Sequence, residues 1–452
     1  MQARNRRNLA LALFALLLLL LLGVFVACSG GSETPPPSST ATPPPTSAPP
    51  ASAPPPSSAA AEPDALPNGL LLAYSQFTVD GGTVTATPGP ARAELLYRQG
   101  GEWHVDAIED PDSNVFHKAL VYTPPGGTPG ILTLGGTRAF VKLWHHSATG
   151  WTSETLWTED FGGHFSRMRD AEVANLYGDG PAIAVATHDQ GVVATIRPQT
   201  GGGWSVTRLD QRPNTFVHEI EIGDVDHDGH LEVYATPSDP NDLDGGHQHG
   251  EVVRYVPGVE GSRTVVADLG DRHAKEIYVG DVDGDGTDEL YVAVEALTSG
   301  SGADVQIVEP VEIRRYDAGT PATGGVVIAT IRDRLTRFLT VGDVDGDGHR
   351  EMVAASFSTG LWMLRPGRDA HGEWSIENLD RESGGFEHAA LFADLDGDHH
   401  DELYVADDEH GELRRYVWDA GGHARRSVIH SRPIPRQMMT WNLTTFPVSM
   451  LR

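Results

Sequence analysis

The chain has 452 residues, with a single cysteine, 51 glycines and 31 prolines. Its 63 acidic residues outnumber 33 Lys and Arg, which gives a formal net charge of -30, and so acidic a surface repels nucleic-acid phosphates and anionic lipid headgroups. The composition therefore excludes nucleic-acid binding as a bulk property. One cysteine also excludes an internal disulfide framework, a CxxC redox site and a thiolate zinc cluster.

Residues 1–27 are predicted to be an export signal. Three arginines precede an almost unbroken apolar run from Leu9 to Val26, which is the order of charge and hydrophobicity found in secretory signals. The run ends in FVAC, which resembles a bacterial lipobox, where small residues precede a cysteine that is lipidated and becomes the new N-terminus. Cys28 is thus the predicted lipidation site. The alternative is a plain membrane anchor, because about 18 apolar residues just span a bilayer.

Residues 28–67 are predicted to be a linker built from Pro, Ser, Ala and Thr, with three proline triplets. Such a composition cannot bury a core, and in polyproline II geometry it extends about 100 Å at most. Ser29 follows the cysteine, and the absence of aspartate there points, by the same resemblance, outward from the inner membrane. We therefore expect a lipid-anchored protein of a bacterial cell envelope, periplasmic or at the cell surface.

Residues 68–452 consist of seven copies of one unit. The clearest copies are GDVDHDGHLEVYA from Gly223, GDVDGDGTDELYV from Gly280, GDVDGDGHREMVA from Gly342 and ADLDGDHHDELYV from Ala393. Short alternating strands separated by Gly and Asp predict an all-β protein. Each unit supplies four strands, one before the Asp loop and three after it, and seven four-stranded sheets around an axis form a seven-bladed β-propeller.

The two ends of this region are predicted to close the ring. The apolar strand after each loop starts, in turn, at Leu70, Ile131, Ile183, Leu231, Leu290, Met352 and Leu403. The chain therefore enters the propeller on a second strand, and Met438 to Val448 reads as the missing first strand of that blade.

The GDVDGDG…EL units resemble the FG-GAP or VCBS repeats of integrin-α-like propellers. The resemblance extends over 68–452, with four clear units and three divergent ones, and it implies calcium in the Asp loops. Members of this group range from adhesion proteins to polysaccharide lyases, so the fold alone settles no activity.

The four clear loops each carry aspartates at alternate positions and a glutamate at the ninth. Alternate carboxylates converge on one point, glycine permits the sharp turn, and a hard divalent cation suits the resulting oxygen cage. Solvated acidic turns are the alternative. The predicted ligands of up to four structural calcium ions are Asp224, Asp226, Asp228, Glu232, Asp281, Asp283, Asp285, Glu289, Asp343, Asp345, Asp347, Glu351, Asp394, Asp396, Asp398 and Glu402.

These loops differ from EF-hands, which carry a glutamate at the twelfth position. The last loop has His399 where glycine is expected. The other three units lack the ligands, so no calcium is predicted there.

A basic residue lies six positions before the first loop position in every unit. Because first strands line a propeller's channel, these residues are predicted to ring its mouth at the end opposite the Asp loops, on the same strand face as apolar residues two and four positions later. The predicted ligand-binding ring is His117, Arg169, His218, Lys275, Arg337, His388 and Arg436.

Burying so many cations unpaired would be costly, and three arrangements avoid that cost. The ring is ion-paired with neighbouring acids, or it binds an anionic ligand, or some of its histidines hold a metal. The acids that could pair with the ring are Asp170, Glu219 and Glu276. The histidines that could hold a metal are His117, His218 and His388.

Loops between second and third strands open on the same face as the ring. They include His188-Asp189, the pair His247 and His249, and Asp408 with His410. The His247–His249 pair is either a metal site or part of a flexible polar loop. Asp408 with His410 is either an acid–base pair or two exposed turn residues.

The leading hypothesis is a membrane-tethered, calcium-stabilised propeller that binds an anionic ligand, a uronic-acid glycan or small carboxylate, at the ring. Arginines would bind its carboxylates through paired hydrogen bonds, and Lys275 would add a point charge. One rival is a polysaccharide lyase or hydrolase acting on uronic-acid polymers, and another is a protein-interaction or adhesion scaffold with a protein partner. The sequence has no nucleophile elbow, HExxH or phosphate loop, which favours a binding protein over an enzyme.

Overall fold

A computed structural model describes residues 63–452 except 137, 163–165, 241–247, 301–303, 368, 373 and 420. The predicted export signal, Cys28 and almost all of the linker 28–67 lie outside the described residues, as does His247. None of the helices in the described ranges is long and apolar enough to cross a membrane. Residues Ala65–Arg452 form one structural unit.

The described residues form strands almost throughout, followed by a short 3₁₀ helix at Val448–Leu451. In chain order the strands are β1 (Asn68–Asp80), β2 (Thr83–Pro88), β3 (Ala91–Gln99), β4 (Glu102–Asp110), β5 (Phe116–Tyr122), β6 (Gly130–Gly135), β7 (Phe140–Ser147), β8 (Gly150–Thr158), β9 (Met168–Ala174), β10 (Ala182–Thr187), β11 (Val193–Pro198), β12 (Trp204–Asp210), β13 (Phe216–Gly223), β14 (Glu232–Ser238), β15 (Glu251–Tyr255), β16 (Thr264–Asp268), β17 (Ala274–Gly280), β18 (Glu289–Val294), β19 (Leu297–Ser299), β20 (Gln306–Glu309), β21 (Val311–Tyr316), β22 (Val326–Ile331), β23 (Thr336–Gly342), β24 (Glu351–Ser356), β25 (Gly360–Arg365), β26 (Ser375–Asp380), β27 (Ala390–Ala393), β28 (Glu402–Asp407), β29 (Glu412–Trp418), β30 (Ala424–Ser431) and β31 (Met438–Pro447).

These strands make seven antiparallel blades, which confirms the predicted fold. From the inside outward, the blades are 1 (β31-β1-β3-β4), 2 (β5 to β8), 3 (β9 to β12), 4 (β13 to β16), 5 (β17-β18-β21-β22), 6 (β23 to β26) and 7 (β27 to β30). Strand β2 pairs with the end of β1, and β19 with β20 forms a hairpin inserted into blade 5.

The ring closes where β31 pairs with β1, from Asn68 opposite Pro447 to Gln76 opposite Met438. This pairing joins the two ends of the described chain inside one blade, as the sequence predicted. Because every blade then has a neighbouring blade on both sides, the propeller has no open first or last blade.

The core lies between the faces of adjacent blades. Six second strands, from β6 to β28, are buried along their whole length, and they read as apolar runs because both faces are covered. Between blades 2 and 3, for example, Tyr122 and Leu134 pack in one cluster with Ile183 and Val185. Truncating such a residue to alanine costs about 2–5 kcal/mol.

Candidate functional site

The four Asp loops follow the ends of β13, β17, β23 and β27, and each has converging carboxylates. The ligand atoms within each group lie within 4.8 Å of one another. The groups comprise Asp224, Asp226, Asp228 and Glu232; Asp281, Asp283 and Asp285; Asp343, Asp345 and Asp347; and Asp394, Asp396 and Asp398. These clusters can hold metal ions, and their oxygen-only donors suit a hard cation.

The loops are folded by their own first aspartate. Asp343 accepts hydrogen bonds from the backbone N–H groups of Gly346 (2.7 Å) and Gly348 (2.9 Å). The second loop position is apolar and buried in each case, as with Val282. His399 adopts a φ of 69° where the other loops have glycine, so the fourth loop keeps the same turn despite its departure from the motif.

The ninth-position glutamates have protein partners of their own, which the sequence did not reveal. Arg315 of the third strand lies 2.7 Å from Asp283 and 3.3 Å from Glu289, and Tyr291 donates a hydrogen bond of 3.1 Å to Glu289. Burial raises the pKa of Glu289 to about 7. Outside the first loop, therefore, the three aspartates form the converging group and the glutamate lies beside it.

Neighbouring loops are also bonded to each other. Asp288, at the eighth position of the second loop, accepts the N–H of Asp224 in the first loop at 3.0 Å. Asp401 of the fourth loop accepts the N–H of Asp343 in the third loop at 2.9 Å. The four loops thus include two directly bonded pairs on one face, which we call the Asp-loop face.

The predicted basic residues lie at the other end of the first strands, at interruptions of strand pairing. The register between first and second strands shifts across Arg169, Lys275 and Arg337, and likewise across His117 and His218. A β-bulge redirects the side chain of the extra residue. The expected alternation, with each cation on the face of the apolar residues that follow, is therefore wrong at these positions.

The predicted register of blade 1 is also wrong. In the other blades, one residue of the first strand pairs with the start of the second strand, and the ring residue lies five positions before it. In blade 5, for example, Gly280 pairs with Glu289, and Lys275 lies five positions before Gly280. In blade 1 the equivalent pair is Phe446 opposite Gly69, and the bulge falls at Trp441. The seventh ring position is thus Trp441. Arg436 precedes β31, and its side chain is 41% exposed and lies 3.7 Å from Glu409.

The three histidines of the ring are buried and bonded to separate partners. The Nδ1 of His117 lies 2.7 Å from the carbonyl of Met168, and the Nε2 of His218 lies 3.0 Å from Ser238. Both nitrogens of His388 have partners, and burial lowers its pKa to about 4. Burial and nearby cations lower the pKa values of His117 and His218 well below the usual range. These low pKa values favour the neutral imidazole, and none of the three histidines belongs to a converging metal-ligand group among the described residues.

Three ring members converge, and we call Arg169, Lys275 and Arg337 the basic mouth. Arg169 and Arg337 both face Glu387, at 3.7 and 3.9 Å, although they come from blades 3 and 6. Arg337 also lies 3.4 Å from Glu295. Burial and the charge of Arg337 lower the pKa of Lys275 well below its usual range.

The acids expected to pair with the ring serve other groups. Asp170 accepts the N–H of Ile220 in the next blade at 2.9 Å, and Glu276 accepts the N–H of Leu339 at 3.2 Å. Lys118 lies 2.9 Å from Asp170 and 3.8 Å from Glu219. The expected pairing of the ring with these acids is therefore wrong, because they join inner strands and neutralise Lys118.

Aromatic rings surround the basic mouth, a feature that sequence reasoning missed. Trp441 contacts His117 edge-on with ring centroids 4.7 Å apart, and Phe386 at 6.5 Å. The Arg169 guanidinium lies 5.4 Å from the Trp441 ring, and that of Arg337 lies 4.9 Å from Phe386. Correct register in blade 1 would have identified Trp441. Phe386, Glu387 and Glu295 carry no repeat signal.

The loops near the mouth are bonded internally. His410 pairs with Asp407 at 2.7 Å, while Asp408 accepts hydrogen bonds from Thr440 and Arg432. The alternative that His410 and Asp408 form an acid–base pair is therefore wrong, and so is the alternative that both are exposed, because Asp408 is buried. His188 lies 2.9 Å from Asp189, and His249 lies 2.7 Å from the carbonyl of Gly270.

Proteins similar to this chain include two of known structure. One similar solved structure is a Bacteroides fragilis protein described as a candidate 6-phosphogluconolactonase, at 12% identity and a TM-score of 0.49, covering 84% of this chain and 98% of that chain. Another is a protein from Lactobacillus plantarum, at 12% identity and a TM-score of 0.49, covering 84% and 99%. No curated protein matches in sequence. Residues 343–440 match the family model of the FG-GAP-like repeat, so the chain is a seven-bladed β-propeller that carries this repeat.

Proposed function

We propose that this propeller binds an anionic ligand, a uronic-acid glycan or small carboxylate, at the basic mouth. The observation that carries the proposal is the convergence of Arg169, Lys275 and Arg337 from three blades, where the carboxylates Glu295 and Glu387 lie 3.4 to 3.9 Å from the two arginines. Good charge-assisted hydrogen bonds measure about 2.7–2.9 Å. The cations therefore retain donor capacity for a ligand. An FG-GAP-type propeller itself suggests a binding or scaffold role.

The test is calorimetric titration of the protein with glucuronate, and with glucose as a neutral ring of similar size. Binding of glucuronate that disappears in Arg337→Gln, without binding of glucose, supports the proposal. A protein partner whose binding is unaffected by Arg337→Gln, together with no uronate binding, would instead favour the scaffold role.

A second candidate function is a lyase on uronic-acid polymers, and Lys275 is the observation that favours it. A lysine whose pKa is lowered by burial and by Arg337 suits proton abstraction, while the arginines would neutralise the substrate carboxylate. Incubation with polyuronates and monitoring of the absorbance of new double bonds tests this. Activity that is lost in Lys275→Met would establish the lyase.

The Asp loops are proposed to bind calcium as a structural cation. Their carboxylate oxygens, turn glycines and buried second position fit such an ion, whose role would be to hold the loops rigid. We also propose that Cys28 carries a lipid anchor and that the linker 28–67 spaces the propeller from a bacterial membrane. Incorporation of labelled palmitate that stops in Cys28→Ala would support the anchor, and unchanged labelling would refute it.

A further inference from the structure

The loop before β27 places an aromatic ring and a carboxylate side by side in the basic mouth. Phe386 and Glu387 are consecutive residues of this loop, and the Glu387 oxygens face different blades, Oε2 towards Arg169 and Oε1 towards Arg337. The Phe386 ring lies 4.9 Å from the Arg337 guanidinium. The mouth thus already contains an aromatic ring and an acid group, both supplied by the chain itself.

The contacts of this acid are loose. Both Glu387–arginine distances, 3.7 and 3.9 Å, exceed a hydrogen bond, so the attraction is coulombic and lacks the directional part of a good ion pair. Arg337 is 3% exposed, yet its Nε and Nη2 have no hydrogen-bond partner among the described residues, and neither have the two oxygens of Glu295. Buried donors without partners are costly, so a better-placed acid would be favoured here.

The charges at the mouth extend beyond the ring residues. Arg167 as well as Arg169 lies within electrostatic range of Glu387, and Asp189 counters Arg167, while Arg337 faces both Glu295 and Glu387. An incoming anion that displaces Glu387 leaves the number of negative groups around these arginines unchanged. Displacement requires the Glu387 side chain to leave the space between Arg169 and Arg337, in a loop that contains Gly384 and Gly385.

We propose that Glu387 is a tethered competitor that occupies the place of the ligand's acid group, and that the ligand is a ring-bearing carboxylate. This inference rests on the proposed function. The ligand acid takes the position of Glu387 between Arg169 and Arg337, and its ring packs on the half-buried Phe386 and Trp441. The affinity of the wild-type protein is reduced by the fraction of molecules in which Glu387 holds the site.

The test is titration of the full chain and its variants at fixed ionic strength with glucuronate, benzoate and sulfate. In Glu387→Gln the competitor loses its charge while its size is kept, and we expect glucuronate to bind about tenfold more tightly than in the wild type. Glu387→Asp, which keeps the charge on a shorter side chain, should fall between the two and serves if the glutamine variant does not fold. Glu409→Gln is the matched control, because this acid pairs with Arg436 outside the ring, and its affinity should equal that of the wild type.

The requirement for a ring in the ligand is tested by a separate measurement. Trp441→Leu should weaken glucuronate or benzoate binding several-fold and leave sulfate binding nearly unchanged. Equal losses for all three anions would overturn the requirement for a ring. Tighter binding of benzoate than of glucuronate would identify the ring as aromatic, and the reverse order would identify it as a sugar.

The outcomes separate the two claims. If the wild type binds glucuronate through Arg337 but Glu387→Gln binds no more tightly, then Glu387 is a structural ion-pair partner and this inference fails while the proposed function stands. If neither wild type nor any Glu387 variant binds any of the three anions, both fail.

Discussion

The Asp-loop face and the basic mouth lie at opposite ends of the first strands, and they hold their charges differently. Each Asp loop gathers its carboxylates from within nine consecutive residues, and its aspartates are half-buried or exposed while the ninth-position glutamate is buried. The mouth takes Arg169, Lys275 and Arg337 from separate blades and buries them. The first arrangement needs only a local turn, whereas the second exists only when the ring of blades is closed.

This difference has an energetic consequence. Exposed carboxylates repel each other weakly in water but lose that repulsion, and gain rigidity, when a cation binds. Buried cations depend on counter-charges already present in the fold, here Glu295 and Glu387. We therefore expect the Asp-loop face to control stability and the mouth to control ligand binding.

Removal of calcium should have the largest effect. With calcium at about 10 to 100 times the dissociation constant, each loop contributes about 1.4–2.7 kcal/mol, so chelation should reduce the free energy of unfolding by several kcal/mol and lower the melting temperature. Scanning calorimetry with calcium or with a chelator measures this. Asp283→Asn should remove part of the effect, and Asp179→Asn, in the blade 3 turn that lacks the ligand set, should not. An unchanged melting temperature on chelation would show that calcium does not stabilise the protein.

Loss of one mouth arginine should be the next largest effect. Arg337→Gln removes the guanidinium that faces Glu295 and one of the two that face Glu387. It also removes a ligand contact, and truncation of a buried charge pair costs about 2–5 kcal/mol of binding. Glucuronate affinity should therefore fall at least about thirtyfold in calorimetric titration, with calcium binding unchanged. Arg436→Gln is the matched control, since Arg436 lies outside the ring. Equal losses in both variants would restore the sequence-based register of blade 1.

The pH dependence of ligand binding should sharpen the contrast. Burial raises the pKa of Glu295 to about 7, against the charges of Arg337 and Lys275, which lower it, while Asp333 and Glu387 raise it further. Below pH 7 this acid is protonated and no longer repels an anion, so affinity should decrease by about three- to tenfold as pH rises from about 6 to 8. Burial keeps His218 and His273 neutral over this range. Titration at both pH values measures the change. Glu295→Gln should remove the contribution of this acid, and a change that remains would come from Lys275, whose pKa is also shifted.

The same contrast explains how much could be predicted from sequence. The Asp loops, the blade number and the closure by Met438–Pro447 were readable because repeat spacing and strand alternation are local signals. The sequence also predicted that Arg169 and Lys275 lie at the start of first strands, but it did not predict which side chains contact them. A bulge cancels the alternation from which a face is inferred, and Glu387 and Glu295 come from loops with no repeat register. In blade 1, where the loop motif is missing, only the pairing of Gly69 with Phe446 identifies Trp441.

The smallest expected effect concerns communication between neighbouring Asp loops. Asp288 of the second loop accepts the N–H of Asp224, the first predicted ligand of the loop before it, so ordering the second loop also orders the first. Asp288→Ala removes this hydrogen bond, which is worth about 1.5–3 kcal/mol for a charged acceptor at most and less where water replaces it. Calcium affinity of the first loop should fall about two- to fivefold, and the steepness of the calcium titration, followed by tryptophan fluorescence or calorimetry, should decrease.

Glu260→Ala is the control, because it removes the same charge from an exposed position of blade 4 outside the loops. If both variants shift the titration equally, the loss comes from overall charge, and the loops act independently. If only Asp288→Ala flattens it, the Asp-loop face binds cations as a connected unit, whereas the mouth binds at a single point.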